Sequence, residues 1–314
     1  MTLASPLSSH TTASGIPRPG GTGWLAGRPV SRIGYGTAPI GRMRIDHDDA
    51  VALVRRAVEL GVDHVDTAQF YGDGFANDAI RDALRPEDGV VVVTKVGADA
   101  DPSAKFPLRP AQKPHELRVS VDDNLRSLGV DQVPVVNLRR LDVGPGLSAE
   151  GDQVVDLDDQ LAVLTQLRDE GKIGAIGLSG VTIAGLRRAL PAGIACVQNA
   201  YSLVARDDEE MLQLCATEDI AWVPFWPLGG GLMPNLPTVT DEPTVQAVAR
   251  NLGVTPAQVG LAWLLHHEPN LLLIAGTTDA GHLEANLAAG AIALDNGTLA
   301  ELDGVPSRSV DVRL

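Results

Sequence analysis

The segment VDTAQFYGDG, residues 65–74, starts as a buried strand and ends as a loop, with Asp66 closing the apolar run and Tyr71 five residues beyond it. Lys95 closes the next apolar run, VVVVTK, and Asn137 and Arg139 lie at the end of the one after, VVNLRR. A phenol has an unperturbed pKa near 10 and is a weak proton donor to a developing alkoxide at neutral pH. A nearby ammonium makes it more acidic, and a carboxylate paired with that ammonium fixes it in place and keeps it charged. Asp66, Tyr71 and Lys95 supply those parts. Protonating a carbonyl oxygen requires a hydride at the carbon, which no side chain delivers, so the set implies a nicotinamide cofactor.

Such residues act together only if several strand ends converge. Eight short apolar runs alternate with segments of helical period: Arg32–Thr37, Val62–Asp66, Val90–Lys95, Val133–Arg139, Ala175–Ser179, Ala195–Asn199, Ala221–Phe225 and Leu271–Gly276. Most are continuous rather than alternating, as in parallel strands buried on both faces. The helical segment DHDDAVALVRRAVELGV has acids in its first turn and Gly61 as a stop, while TPAQVGLAWLLHHEP has Thr255 as cap and Pro256 at its first turn. The pattern predicts an α/β (β/α)8 TIM barrel, with a doubly wound sheet as the alternative. GWLAGRPVSRIG, before the first barrel strand, reads as a hairpin plugging one end. Residues 1–22, rich in Ser, Thr, Gly and Pro, read as a disordered tail, 23–305 as the barrel and 306–314 as a C-terminal tail. Long connections at Gly97–Pro114, Asp142–Asp156 and Gly229–Pro243 all follow strands, on the face where barrel enzymes keep their chemistry.

The 314 residues carry a net charge of −15, which argues against nucleic acid or an anionic membrane as partner. No apolar run approaches the ~20 residues of a membrane span. The first residues, MTLASPLSSHTTASG, have neither the basic start nor the apolar stretch of a signal peptide. Cys196 and Cys215 lack metal or disulfide-framework spacing and read as buried thiols. The expectation is a cytoplasmic protein acting on a small-molecule carbonyl compound.

In order and spacing, VDTAQFYG, TK, IGLSG, VQNAYS, VPFWPLGGG and IAGTTDAGHLEANLAA resemble the aldo-keto reductase superfamily over residues 30–305. The resemblance implies a barrel reductase that uses NADPH and no metal. It assigns Tyr71 as proton donor with Lys95 and Asp66 as its supporting pair. It places Gly36, Thr37, Asp66, Ser179, Gln198, Phe225, Trp226, Pro227, Leu228, Gly229, Gly231 and Leu232 around the nicotinamide and pyrophosphate. Gly276, Thr277, Thr278, His282 and Asn286 fall to the adenosine end. Three positions depart from the pattern: Arg139 replaces a histidine, Gly180 an asparagine and Ala285 a glutamate.

NLRR, VQNAYSLVARDDEEML and VPFWPLGG resemble the bacterial pyridoxal reductase branch. Pyridoxal has an ionisable phenol beside its aldehyde, a natural partner for the permanently charged guanidinium of Arg139. Arg139, Asn137 and Trp226 are the candidate substrate contacts; a structural ion pair to Asp142 or Asp66 is the alternative for Arg139. Two other functions share the pattern: a ketoreductase on a polyketide-type carbonyl, and a non-catalytic NADP(H)-binding sensor or channel-associated subunit.

Overall fold

The computed structural model describes residues 10–104, 107–142, 147–230 and 237–309. Its strands are β1 (Thr22–Leu25), β2 (Arg28–Ser31), β3 (Tyr35–Gly36), β4 (His64–Asp66), β5 (Val91–Val96), β6 (Ala98–Ala100), β7 (Leu108–Pro110), β8 (Val133–Arg139), β9 (Ile173–Ser179), β10 (Ile194–Gln198) and β11 (Ala221–Trp222). Seven of them form one parallel sheet in the order β11-β10-β9-β8-β5-β4-β3. Leu271–Leu273 closes it as the eighth staff, with parallel bridges from Leu271 to Trp222 and from Leu273 to Ile33. The expected barrel is present, with shorter first, seventh and eighth strands than the apolar runs suggested. At the seam, bare glycine backbones let strands one and eight approach: a Cβ on Gly36 would lie 2.5 Å from the Ile274 carbonyl oxygen.

Strand direction follows from composition. The β-branched runs of β5 and β8 pack Val91, Val93 and Val135 into the barrel interior, while Val96, Val133 and Val136 join the core beneath the helices. The helices of the outer layer begin where sequence chemistry puts them. Asp46 caps His47–Glu59 by accepting from the Asp48 amide, and Thr255 caps Pro256–His267 in a reciprocal box with Gln258.

The hairpin β1–β2 turns on Ala26 and Gly27, both with positive φ, as a two-residue turn with the twist of its strands demands. Its Leu25 and Val30 join the interior cluster of Val91, Val93, Val135, Cys196, Ala221, Val223, Leu272 and Ile274. Burying each contributes on the order of 1.5–3 kcal/mol. The plug is therefore part of the barrel core.

Residues 10–22 depart from the expected disordered tail. Thr11 bridges Pro17, and Arg18 reaches into the barrel base to pair with Asp63 at 2.7 Å, both side chains 6% exposed. Composition suggested a tail because the stabilising partner lies 45 residues away in sequence. At the other terminus, Arg308 donates its amide to the Val204 carbonyl and its guanidinium to Glu242. The Gly97–Pro114 connection contains the antiparallel pair β6–β7.

Candidate active site

The three chemical groups meet at one mouth. Asp66 ends β4 and Lys95 lies near the end of β5, so the parallel register brings their side chains inward together. The Lys95 ammonium donates to Asp66 Oδ1 and, at 3.0 Å, to the Thr67 carbonyl. Nζ lies 5.0 Å from the centroid of the Tyr71 ring. Burial alone would push Lys95 down, but the Asp66 carboxylate and then the Tyr71 phenol outweigh it and hold the ammonium above the ordinary lysine range.

Tyr71 sits on a loop fixed from several sides. Thr67 Oγ1 donates to Asn77 Oδ1 at 2.8 Å, and Asn77 Nδ2 donates to Gln69 Oε1 and Asn124 Oδ1 at 3.1 and 3.0 Å. These amides tie the loop to the two following helices, Phe75–Ala83 and Pro114–Leu128. Phe70 meets the Tyr71 ring edge-on at 5.1 Å between centroids. Gly41 backs the loop so closely that a Cβ there would lie 2.4 Å from the Tyr71 carbonyl carbon. Sequence reading missed Asn77, Asn124 and Gly41, since none ends a strand; the glycine in GTAPIGR, just past the first strand, was the available signal.

Arg139 and Arg140 divide their work. Arg140 pairs with Asp142 at 2.8 Å. The Arg139 guanidinium lies 5.7 Å from the Phe70 ring centroid and has no hydrogen bond or ion pair among the described residues. Its backbone carbonyl accepts from Gln112 Nε2 at 2.8 Å, and Gln112 is itself held by Gln160 at 2.9 Å. Burial pushes the guanidinium below its ordinary range, against the opposing pull of Tyr71. Asn137 falls deeper: it is fully buried in register with Lys95, its Oδ1 accepts from Cys196 Sγ at 3.2 Å, and its Nδ2 has no partner among the described residues. That register puts it in the layer of Lys95.

Gln198 joins the same cluster from the end of β10. A carboxylate only accepts, so the Gln198 amide turns its NH2 toward Asp66 Oδ2 at 2.7 Å. That leaves Oε1 buried and without a donor among the described residues. An acceptor so placed fits a primary amide such as a nicotinamide carboxamide, beside Ser179, which pairs with Gln198 in the β9–β10 register.

The other expected cofactor positions spread around the rim. Thr37 turns inward and donates to the Asp66 carbonyl at 3.1 Å, while Gly36 and Gly276 form the seam. Phe225 and Trp226 are half-buried and packed edge to face at 5.5 Å, with Trp226 at a φ of 57°. Pro227 and Leu228 follow, and Gly229 closes a turn onto the Trp226 carbonyl at 2.8 Å. Gly231 and Leu232 lie outside the described residues. The Thr277 carbonyl accepts from the Tyr35 hydroxyl at 2.6 Å, and Thr278 contacts Met43. His282 is exposed in the first turn of the helix Ala280–Ala288, capped by Asp279, and Asn286 is half-buried one turn on.

A parallel barrel with a phenol, an ammonium and a carboxylate at the C-terminal ends of its strands is a barrel oxidoreductase site. Residues 32–306 match the aldo/keto reductase family, and the chain belongs to it. It is 41% identical over 289 residues to pyridoxine 4-dehydrogenase of Escherichia coli K12, covering 90% of this chain and 96% of that protein. It is 31% identical to an uncharacterized oxidoreductase of Schizosaccharomyces pombe, covering 87% and 86% of the two chains. An aldo/keto reductase from Klebsiella pneumoniae, solved with NADP and acetate, superposes with a TM-score of 0.75 at 25% identity, over 93% of this chain and 98% of that one.

Proposed function

We propose that the protein reduces an aldehyde to an alcohol with NADPH, that Tyr71 is the proton donor, and that pyridoxal is its substrate. The observation carrying this reading is the buried Asp66–Lys95 pair beside the Tyr71 ring, with the Arg139 guanidinium, unpaired among the described residues, over the neighbouring Phe70 ring. NADPH, when bound, would supply the hydride. Gln198 Oε1, which is buried without a donor among the described residues, and its strand neighbour Ser179 would hold the carboxamide, and the Gly276–Asn286 segment would hold the adenosine end. Tyr71 donates its hydroxyl proton to the carbonyl oxygen as negative charge builds there. Lys95, kept protonated by Asp66, stabilises the phenolate left behind. Arg139 pairs with the ionised phenol of pyridoxal and so orients the neighbouring aldehyde toward Tyr71. The relatedness to pyridoxine 4-dehydrogenase supports this substrate, and the two buried free thiols suit a reducing cytoplasm.

The test is NADPH oxidation with pyridoxal and with benzaldehyde, for the wild type and Arg139→Leu. The expected result is a loss on pyridoxal of about tenfold or more, the worth of one charged hydrogen bond, with benzaldehyde little changed. Equal activity on both aldehydes, with equal effects of the substitution, overturns the pyridoxal assignment.

A further inference from the structure

Asp66 and Lys95 each have a threonine beside them in the chain. The two charged side chains turn into the barrel, so their neighbours Thr67 and Thr94 turn outward, toward the helices. There the two hydroxyls meet a pair of amides. Thr67 Oγ1 donates to Asn77 Oδ1 at 2.8 Å, Asn77 Nδ2 donates to Asn124 Oδ1 at 3.0 Å, and Thr94 Oγ1 donates to the same Asn124 oxygen at 2.5 Å. All four side chains are fully buried. Asn77 lies on the helix Phe75–Ala83 and Asn124 on Pro114–Leu128, whose Ile80, Leu117 and Val121 join the apolar core. Packing alone would be served equally by apolar side chains at positions 77 and 124.

These bonds have a direction. A carbonyl only accepts, so Asn124 turns its NH2 to the Ser120 carbonyl at 2.8 Å and its Oδ1 to Asn77 and Thr94. Asn77 must then direct its NH2 to Asn124 and Gln69 and keep its oxygen for Thr67. Gln69 closes the loop that carries Tyr71: its Oε1 also accepts from Ser127 Oγ at 2.7 Å, and its carbonyl accepts from the Gly74 amide at 2.7 Å. Thr67 is bonded at three points, its amide to the Val93 carbonyl at 2.8 Å, its hydroxyl to Asn77 and its carbonyl to the Lys95 ammonium at 3.0 Å. Asn77 therefore grips both the residue that accepts from Lys95 and the residue that closes the Tyr71 loop. A satisfied buried network of this kind specifies one arrangement, which apolar packing enforces less strictly.

We propose that Asn77 is a positioning residue for the reaction, setting the Lys95 ammonium and the Tyr71 loop at one fixed separation through Thr67 and Gln69. This rests on the reductase reading and extends it from the groups that move a proton to the group that aims them. Asn77 lies on the outer side of the strands and takes no part in the proton transfer. Its effect is one of geometry: a displacement of about 1 Å at the reacting groups costs up to about a hundredfold in rate.

The test measures kcat per folded molecule by NADPH oxidation with pyridoxal and with benzaldehyde, in the wild type, Asn77→Asp, Thr67→Val and Thr67→Ser. Asn77→Asp keeps the shape but sets acceptor against acceptor at Gln69 and Asn124, while Thr67→Val keeps the volume and removes the donor. Both are expected to lower kcat about tenfold to a hundredfold on either aldehyde, with the KM for NADPH within about twofold. Thr67→Ser restores the hydroxyl and recovers most of the rate. Relative to the wild type, Asn77→Asp regains activity as pH falls, because a protonated carboxyl again offers one donor and one acceptor. Loss of stability in urea with kcat per folded molecule retained, in both Asn77→Asp and Thr67→Val, overturns the proposal and leaves Asn77 a packing residue. Ultraviolet titration of phenolate reads the same geometry without turnover, with Tyr71→Phe marking the Tyr71 signal. Thr67→Val is expected to move that signal to higher pH as the phenol drifts from the ammonium, and an unmoved signal overturns the proposal. A wild type inactive on both aldehydes whose Tyr71 signal still moves in Thr67→Val refutes the reductase reading and leaves the positioning role standing.

Discussion

The second barrel strand and the residue before it carry two acids, and they lead different lives. Asp63, at the base, pairs with Arg18 and also accepts from the Ser31 amide at 2.6 Å. Asp66, at the mouth, pairs with Lys95 and accepts from Gln198. Both ion pairs are about equally buried, at 6%/6% and 5%/3% side-chain exposure. The basal pair is closed: Arg18 also donates to the Pro29 carbonyl at 3.2 Å, so the pair fastens the N-terminal segment and the hairpin to the barrel. The upper pair is open, with a phenol beside its ammonium and a buried acceptor on Gln198 unmet among the described residues. Burial and pairing do not separate a structural ion pair from a chemical one. What separates them is whether any polar capacity is left over.

Breaking each pair sharpens that contrast. Tyr71→Phe and Lys95→Met are expected to lower kcat by about 10²–10⁴, the usual worth of a positioned proton donor, as read by NADPH oxidation. Arg18→Met leaves kcat per folded molecule unchanged but costs about 3–5 kcal/mol in urea unfolding, because it strands the buried Asp63 charge. A comparable kcat loss in Arg18→Met would erase the distinction between the two ends.

Alkaline pH provides a second comparison. Lys95 is held above its ordinary value of 10.5, so its folded state binds the proton more tightly than the unfolded chain. Its contribution to stability is full below that ordinary value and is lost as pH rises through the higher folded-state value. The stability gap between wild type and Lys95→Met, measured by denaturant titration, should therefore narrow only under strongly alkaline conditions.

Glycines give a smaller contrast of the same kind. Gly41→Ala forces a Cβ against the Tyr71 backbone and is expected to lower kcat about tenfold with modest loss of stability. Gly34→Ala puts a Cβ 2.2 Å from His64 Nε2 inside the barrel, and is expected to cost about 1–3 kcal/mol in unfolding with kcat retained in the folded fraction. Smallest of all, Trp24→Ala on the outer face of the plug, where the ring is 61% exposed, should change stability by less than about 0.5 kcal/mol, whereas Leu25→Ala should cost about 2–5 kcal/mol.

The barrel was legible because β-branched runs such as VVVVTK and VPVVNLR can be buried on both faces only in a covered parallel sheet. The catalytic candidates were legible because charge at the end of such a run has no packing reason to be there. What escaped depends on contacts remote in sequence or on backbone. The fold of residues 10–22 rests on Arg18 finding Asp63, and the Tyr71 loop is backed by the bare backbone of Gly41. The partners of Thr37 and Asn137 were likewise not legible: Thr37 Oγ1 donates to the Asp66 carbonyl, and Asn137 Oδ1 accepts from Cys196 Sγ in the layer of Lys95.

Leu25 and Val30 make the barrel a vessel with a sealed floor. With that end filled, a molecule that reaches Tyr71 comes in at the C-terminal ends of the strands, the side on which Lys95 and Gln198 are already buried.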